Sequence, residues 1–371
     1  MKKAFFLLLA WLCLTFAASC AAQPTAAPTA TLAIPPLITN TPQQAVPGQP
    51  VLGPQPILVN QKYQGHLVLV RFSKDNTDTL SELDLASGTY RTLFQAPPAG
   101  QLSSADVSPD GKQIVIAYSA PTADGKPQYG YSDLYLLDYG ASSPTLRPFL
   151  MRKDKFESYI TPIWSPDGQT IYYSHFYNNA KPGDTNLSYI YAIEKIDLPT
   201  QTSTRLINSA LWPAVSPDGT HISYLATDPT LTRNDLYVAN ADGSNPVAIS
   251  KPGTSLPVDA HFFSADGKSV VYSMVNPTAA APGPSWLEAL LGIQVASAHN
   301  VPSDWYSSPI TGGDPVRITT LNDTGFNGRL SPDGQHMAFF SASGLFVMTA
   351  DGKDITHIST EIFAGNLSWI K

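Results

Sequence analysis

The chain has 371 residues, of which 43% are hydrophobic and 10% aromatic, so it can bury a large core. Its formal net charge is −7 and it has no basic stripe, which argues against binding to nucleic acid or electrostatic docking on anionic lipid. Both cysteines, Cys13 and Cys20, lie in the first 20 residues. The remainder therefore has no disulfide and no cysteine metal site, and its stability must come from packing and strand pairing.

The first 19 residues have the pattern of an export signal. Lys2 and Lys3 precede an apolar stretch, residues 4–19, that is too short for a comfortable membrane span. The stretch ends in Ala-Ala-Ser before Cys20, which resembles the lipobox of bacterial lipoprotein precursors. That resemblance implies cleavage before Cys20 and acylation of its sulfur. The alternative is an ordinary signal peptide with an incidental cysteine.

Residues 21–56 predict a disordered tether. They contain nine prolines, many alanines and threonines, and no charged residue. Such a segment cannot bury enough apolar surface to fold, and its prolines favour extended polyproline II. Fully extended, it would reach roughly 110 Å. We therefore expect residues 20–56 to hold a folded domain, 57–371, away from a bacterial membrane in which more than one acyl chain gives stable anchoring.

One motif recurs through that domain: a serine, a proline, an aspartate and a glycine, followed by a β-prone run. The Ser-Pro-Asp-Gly order suits a tight type I turn, because proline pre-sets φ and glycine accepts the left-handed conformation. The runs behind the turns are rich in Val, Ile, Tyr and Phe, which is typical of strands. The copies occupy residues 107–119, 164–175, 215–226, 263–274 (with Ala265 in place of the proline) and 330–341.

A second hairpin follows each copy, most clearly at 235–250 and 344–359. Each unit therefore has four strands, and four-stranded units at a regular period predict the blades of an all-β propeller. A degenerate sixth unit begins at 62–73, with later strands at 79–85 and 89–94.

The two chain ends complete one blade in this interpretation. The final segment, 366–371, matches a first strand without a returning partner, whereas the first unit has a poor first strand. We predict a six-bladed β-propeller in which the C-terminal strand joins the N-terminal blade and leaves no open edge. The alternative is a seventh, degenerate blade within 275–303.

The repeat resembles that of TolB and its WD-like relatives, on the Ser-Pro-Asp-Gly units and on DLYVANADGSNPVAIS at 235–250. The resemblance covers 57–371 and implies the propeller fold. Related repeats serve in envelope scaffolds, in gating domains of prolyl peptidases and in polysaccharide lyases. TolB has a separate α/β domain where this chain has its tether, so TolB's own partners are not carried over.

The long connections of the repeat suggest where a ligand binds. The turns within each hairpin are short, whereas the loops joining the second to the third strand, and each blade to the next, are long and lie on the opposite face. Aromatic and polar residues there suit contact with an envelope protein or a cell-surface glycan, and the alternative is that many of them only pack the loops. The candidates are Tyr129, Tyr131, Arg152, Tyr159, Phe176, Tyr177, His261, Trp286 and Arg329.

The longest of these loops, 275–303, contains its own helical pattern. Ser285 and Glu288 form a capping box, and Trp286 begins an apolar face at helical spacing. This pattern predicts a short helix on the propeller rim, or alternatively a partner-docking element or lid.

No catalytic motif, metal site or cofactor is predicted. His175, His261 and His299 could meet in a metal site like those of lyases on related propellers, but their spacing alone does not bring them together. We therefore favour a monomeric, non-enzymatic, lipid-anchored binding or scaffold protein outside the cytoplasm. The alternative is a carbohydrate-active lyase or hydrolase with its site at the mouth of the propeller channel.

Overall fold

A computed structural model describes residues 63–72, 77–140, 144–178, 189–227, 234–250, 258–275 and 301–371. The predicted export signal, Cys20, the predicted tether and Trp286 lie outside these residues. Within them the chain forms 24 β-strands and no α-helix. Among these residues there is therefore no helix that is long and apolar enough to cross a membrane.

The strands form six antiparallel sheets of four, which are the blades of a propeller. Blade 1 contains β24 (Phe363–Ile370), β1 (His66–Arg71), β2 (Thr79–Asp84) and β3 (Thr89–Gln95), ordered outward from the axis. Blade 2 contains β4 (Gln101–Val107), β5 (Gln113–Ser119), β6 (Asp133–Asp138) and β7 (Leu146–Leu150). Blade 3 contains β8 (Ser158–Trp164), β9 (Thr170–Asn178), β10 (Tyr189–Asp197) and β11 (Thr202–Asn208).

The other three blades repeat this order. Blade 4 contains β12 (Ala210–Val215), β13 (His221–Thr227), β14 (Asn234–Asn240) and β15 (Val247–Ala248). Blade 5 contains β16 (Val258–Phe263), β17 (Ser269–Val275), β18 (Ser303–Pro309) and β19 (Val316–Arg317). Blade 6 contains β20 (Asn327–Leu330), β21 (His336–Ser341), β22 (Gly344–Thr349) and β23 (Thr356–Ser359).

The predicted closure is confirmed. β24 pairs antiparallel with β1, with Trp369 opposite Leu67, and both side chains are buried. The innermost strands contact one another in sequence from β4 through β20 to β24 and back to β4. Six blades therefore close the ring, and the innermost edge of blade 1 is covered.

The repeated turn is held by hydrogen bonds within the motif. In blade 4, Ser216 Oγ donates to Asp218 Oδ1 at 2.6 Å and accepts from the His221 N–H at 2.9 Å. The Ser216 hydroxyl, followed by the Thr220 N–H, lowers the pKa of Asp218 to about 2. The aspartate is therefore a turn residue, as predicted from the sequence.

The same turn also fits adjacent blades together. A Cβ on Gly168 would lie 3.8 Å from Pro109 Cδ, and one on Gly219 would lie 3.8 Å from Pro166 Cδ. Each proline therefore packs against the turn glycine of the next blade. Ala265 replaces the proline in blade 5, and there the two turns lie closer together. A Cβ on Gly334, in the turn of blade 6, would lie only 2.4 Å from Ala265 Cβ.

Two glycine-to-alanine variants separate backbone strain from this packing. Gly111 and Gly334 have φ of 66° and 70°, but a Cβ on Gly111 would meet nothing within 4 Å. We expect Gly111→Ala to cost about 1–2 kcal/mol from the left-handed backbone alone. Gly334→Ala should cost roughly 1–3 kcal/mol more because of the clash. Urea unfolding of the two variants measures both losses. Equal losses of the free energy of unfolding would contradict a packing role for the turn glycine at Gly334.

Candidate functional site

A central channel runs along the propeller axis and widens into two cavities. Each innermost strand starts at the face that carries the long connections, here called the loop face. It ends at the Ser-Pro-Asp-Gly turns, on the turn face. The turn-face cavity has a volume of about 920 Å³ and the loop-face cavity about 420 Å³. Arg329, Ala214 and Phe262 line both cavities and so mark where they meet.

β-Bulges shape the loop-face cavity. The innermost strands of blades 1 to 5 each shift register near their loop-face end. Thr161, Trp212 and Ala260 have left-handed φ of 49°, 56° and 21°, and Gly365 has 65°. All four line the cavity. Bulges and left-handed non-glycine residues concentrate where a fold aims backbone at a ligand.

The lining of the loop-face cavity is largely apolar with a few polar groups. Its polar members include the amides Asn327 and Asn366 and the basic residues His261 and Arg329. No acidic residue is among the described residues that line it. Mixed linings of this size and kind are typical of ligand sites. The half-buried Trp212 adds an aromatic ring on the same wall.

The two cavities meet at a ring in which every blade contributes the same repeat position. The register of each innermost strand with its neighbour aligns these residues, which lie one position before the last apolar residue ahead of the turn. The ring, here called the constriction, is polar on one side and apolar on the other. In blade order its members are Ser368, Asp106, Ile163, Ala214, Phe262 and Arg329.

Asp106 organises the polar side of the constriction and is only 2% exposed. Its Oδ2 accepts from the Trp164 N–H at 2.8 Å, and its Oδ1 accepts from Ser368 Oγ at 2.9 Å. Arg329 Nη2 lies 3.6 Å from the same Oδ1. One buried carboxylate thus contacts blades 1, 3 and 6 from blade 2, and because both of its oxygens accept hydrogen bonds it fixes how these strands meet.

A second buried network lies in blade 3. His175 is 8% exposed, with Nε2 2.8 Å from Glu157 Oε1 and Nδ1 3.1 Å from Glu194 Oε1. Its ring contacts those of Tyr159 and Tyr177 in tilted arrangements, with centroids 4.8 and 4.9 Å away. The network ties the connection before β8 to strands β9 and β10, so it braces the loop face of this blade.

The two carboxyl groups of the His175 network make the stability of the protein dependent on pH. Burial alone would raise the pKa of Glu157, but hydrogen bonds from the Lys153 N–H and the Tyr159 hydroxyl lower it overall. Burial likewise opposes the effect of His175 and Arg205, which lower the pKa of Glu194.

Because both folded-state pKa values are lowered, these groups stabilise the protein above the ordinary value of 4.5. We expect the free energy of unfolding to fall as the pH drops below that value. Urea unfolding against pH should show a shallower loss for Glu157→Gln together with Glu194→Gln than for the unmodified chain. Parallel curves would contradict this assignment.

The structure divides the sequence-predicted residues between two places. His261 and Arg329 line the loop-face cavity. The others that are described lie together on the loop face of blades 2 and 3. Tyr129 is 57% exposed, whereas Tyr159 is 3% exposed and donates to Glu157 Oε1 at 3.0 Å. Trp286, Cys20 and His299 lie outside the described residues.

The remaining candidates have partners within the fold. Arg152 Nε donates to Asp133 Oδ1 at 3.2 Å, and its side chain is 10% exposed. Tyr177 accepts from Arg205 Nη1 at 2.9 Å. Tyr131 Oη lies 3.1 Å from Tyr189 Oη, and the Tyr131 ring packs with Phe156 and Phe176. These contacts form a half-buried aromatic cluster beside the exposed Tyr129.

Several candidates lie in strands rather than in the loops to which the sequence analysis assigned them. Phe176 and Tyr177 belong to β9, which continues to Asn178 because its aromatic alternation pairs with that of β10. Tyr159 lies in β8 and Arg329 in β20. Strand positions are rigid, so these side chains are held more firmly than loop residues would be.

Sequence reasoning missed Asp106, Trp212 and the carboxylates around His175. Alignment of the six repeat copies at the residue two before the turn serine would have shown an aspartate and an arginine at an otherwise mostly apolar position. That signal could have identified the constriction. Among the described residues, no three His, Cys, Asp or Glu side chains are grouped so that they could hold a metal ion.

Comparisons with known proteins support the fold. No protein-family model matches the chain. Dipeptidyl-peptidase 5 from Aspergillus fumigatus is 28% identical over 186 residues, which are 47% of this chain and 24% of that protein. The chain thus spans about a quarter of the length of the curated relatives that it matches.

Among solved structures, TolB from Acinetobacter baumannii aligns with a TM-score of 0.51 and 17% identity, over 81% of this chain and 67% of its own. A puromycin-hydrolysing peptidase from Mycobacterium tuberculosis aligns with a TM-score of 0.48 and 17% identity, over 85% of this chain and 51% of its own. At these identities the alignments concern the fold alone. The chain is a six-bladed β-propeller of TolB-like fold.

Proposed function

We propose that this protein is a lipid-anchored binding protein outside the cytoplasm, which holds a partner protein or glycan at the loop-face cavity. The observation that carries the proposal is the set of four left-handed residues, one on each of four bulged innermost strands, that line one cavity of about 420 Å³. Strain of this kind persists where the surrounding fold imposes it, and it is often part of a binding site.

A capture experiment with a matched variant tests the proposal. The full chain is crosslinked in cell-envelope extracts and to cell-wall glycans, beside Trp212→Ala and Val316→Ala. Trp212 lines the cavity, whereas Val316 is 66% exposed on the outer strand β19. We expect one saturable partner that is lost with Trp212→Ala and kept with Val316→Ala, with both variants still folded by circular dichroism at the assay temperature. A partner retained by both variants would contradict the proposal.

The carbohydrate-active alternative has one observation in its favour, which is the position of His261 in the same cavity. Metal analysis and a sugar-turnover assay on the same sample separate the two functions. Stoichiometric metal together with turnover that His261→Ala abolishes would replace the binding function with the enzymatic one.

A further inference from the structure

We infer that the loop-face cavity captures the free C-terminal carboxylate of an apolar peptide segment, with Arg329 as its anchor. The inference rests on the proposed function and specifies the ligand of the same cavity.

The charges along the channel differ between its two ends. The described residues that line the loop-face cavity include Arg329 and no acidic residue, although the chain as a whole has a formal net charge of −7. The turn-face cavity is lined by Asp106, Asp110 and Asp333 together with the basic residues Arg329 and Lys371. The loop-face cavity is therefore the end of the channel at which no described acidic residue opposes an anion, and charges act strongly in a narrow channel with low-dielectric walls.

Arg329 retains the capacity to bind such an anion. Its side chain is 39% exposed, and its acidic neighbour Asp106 lies 3.6 Å from Nη2. That distance is long for a charged hydrogen bond, and Asp106 already accepts from Trp164 and Ser368 at 2.8 and 2.9 Å. A guanidinium has five N–H donors in a fork that matches a carboxylate, so most remain available for a second one.

The position of Arg329 favours entry from the loop face. Arg329 lines both cavities, whereas Asp106 lines the turn-face cavity. A carboxylate that enters from the loop face reaches the guanidinium without passing Asp106. Ser104 lines the same cavity and is 1% exposed, and its buried Oγ has no hydrogen-bond partner among the described residues. A ligand oxygen would satisfy this hydroxyl, since buried hydroxyl groups are normally hydrogen-bonded.

The walls distinguish a peptide from an acidic sugar. Ile160, Phe340, Phe363 and Leu367 line the cavity above the guanidinium. A polar sugar would find partners at Asn327 and Asn366 but would leave its other hydroxyl groups unpaired against these apolar side chains, which is costly. Apolar peptide side chains bury favourably there while their terminal carboxylate reaches the basic group, as in other modes of C-terminal capture.

The test uses the full chain and two arrays of the same random hexapeptides, one with free C-terminal carboxylates and one with C-terminal amides. A third array presents oligouronates. We expect binding to a subset of the free-carboxylate peptides and about 10- to 100-fold weaker binding to their amides. Arg329→Gln should cause the same loss, Arg329→Lys a smaller one, and Lys353→Gln, which alters an exposed lysine paired with Asp351, none.

The double variant Asp106→Asn with Arg329→Gln removes both charges, and it replaces Arg329→Gln if that variant unfolds more readily. Equal affinity for acid and amide peptides, or binding to oligouronates alone, would overturn the inference. Binding to no array would overturn it as well. The proposed function is tested separately by the crosslinking experiment: it stands if the partner is lost with Trp212→Ala, and it fails if Trp212→Ala retains the partner.

Discussion

Deletion of residues 363–371 is expected to abolish cooperative folding of the propeller. These residues form β24, the innermost strand of blade 1. Phe363, Leu367 and Trp369 are all buried on it. Loss of three such side chains costs roughly 10 kcal/mol, which is comparable to the whole stability of a typical domain of about 5–15 kcal/mol. The deletion also exposes β1 as an open edge and a site for aggregation.

Circular dichroism during urea unfolding measures the effect, beside size-exclusion chromatography. The matched control removes only Lys371, which is exposed and outside β24, and it should unfold like the unmodified chain. Addition of a synthetic peptide of residues 363–371 should partly restore the folded signal of the deleted chain. A deleted chain that remains monomeric with an unchanged unfolding midpoint would show that blade 1 does not depend on β24.

The blades could be predicted because each is encoded locally. The Ser-Pro-Asp-Gly motif fixes a turn through its own proline, glycine and hydroxyl group, and the β-prone run behind it supplies the returning strand. Closure could also be predicted, because residues 366–371 match a first strand and have no returning partner in the sequence. Both predictions need only the local sequence around each motif and the number of repeats.

The bulges could not be predicted in the same way. Thr161, Trp212 and Ala260 have left-handed backbone without the glycine that usually signals it. Their conformation is imposed by the closed ring, as in Trp212, whose N–H is held by Ser174 Oγ at 2.8 Å. Only Gly365 had a residue type that suggests such a position. Tertiary contacts therefore decided the shape of the cavity.

The candidate residues likewise combine a locally encoded feature with one that depends on tertiary contacts. Aromatic and basic residues near the long connections were predicted as contact residues, but their types did not distinguish contacts within the fold from free surface. Arg152 has its ion pair with Asp133, and Tyr177 its bond from Arg205. Such partners come from other strands of the fold, so the sequence alone does not reveal them.

Replacement of Asp106 by alanine is expected to lower the free energy of unfolding by about 3–5 kcal/mol, the usual cost of removing one partner from a buried charged network. The Trp164 N–H would lose its acceptor, and Ser368 Oγ would lose the carboxylate to which it donates. Each buried group left unpaired costs roughly 1–3 kcal/mol. Asp106→Asn keeps an oxygen for the Trp164 N–H and should cost less than Asp106→Ala.

The unfolding midpoint in urea, compared with that of Asp351→Ala on an exposed turn, measures this loss. Because Asp106 contacts strands of blades 1, 3 and 6, its removal should also weaken the constriction as a whole. Hydrogen exchange should then rise at the backbone of β8 and β24 together, whereas a purely local role would raise it only near β4. A loss below about 0.5 kcal/mol, the size typical of surface substitutions, would mean that packing alone holds the constriction closed.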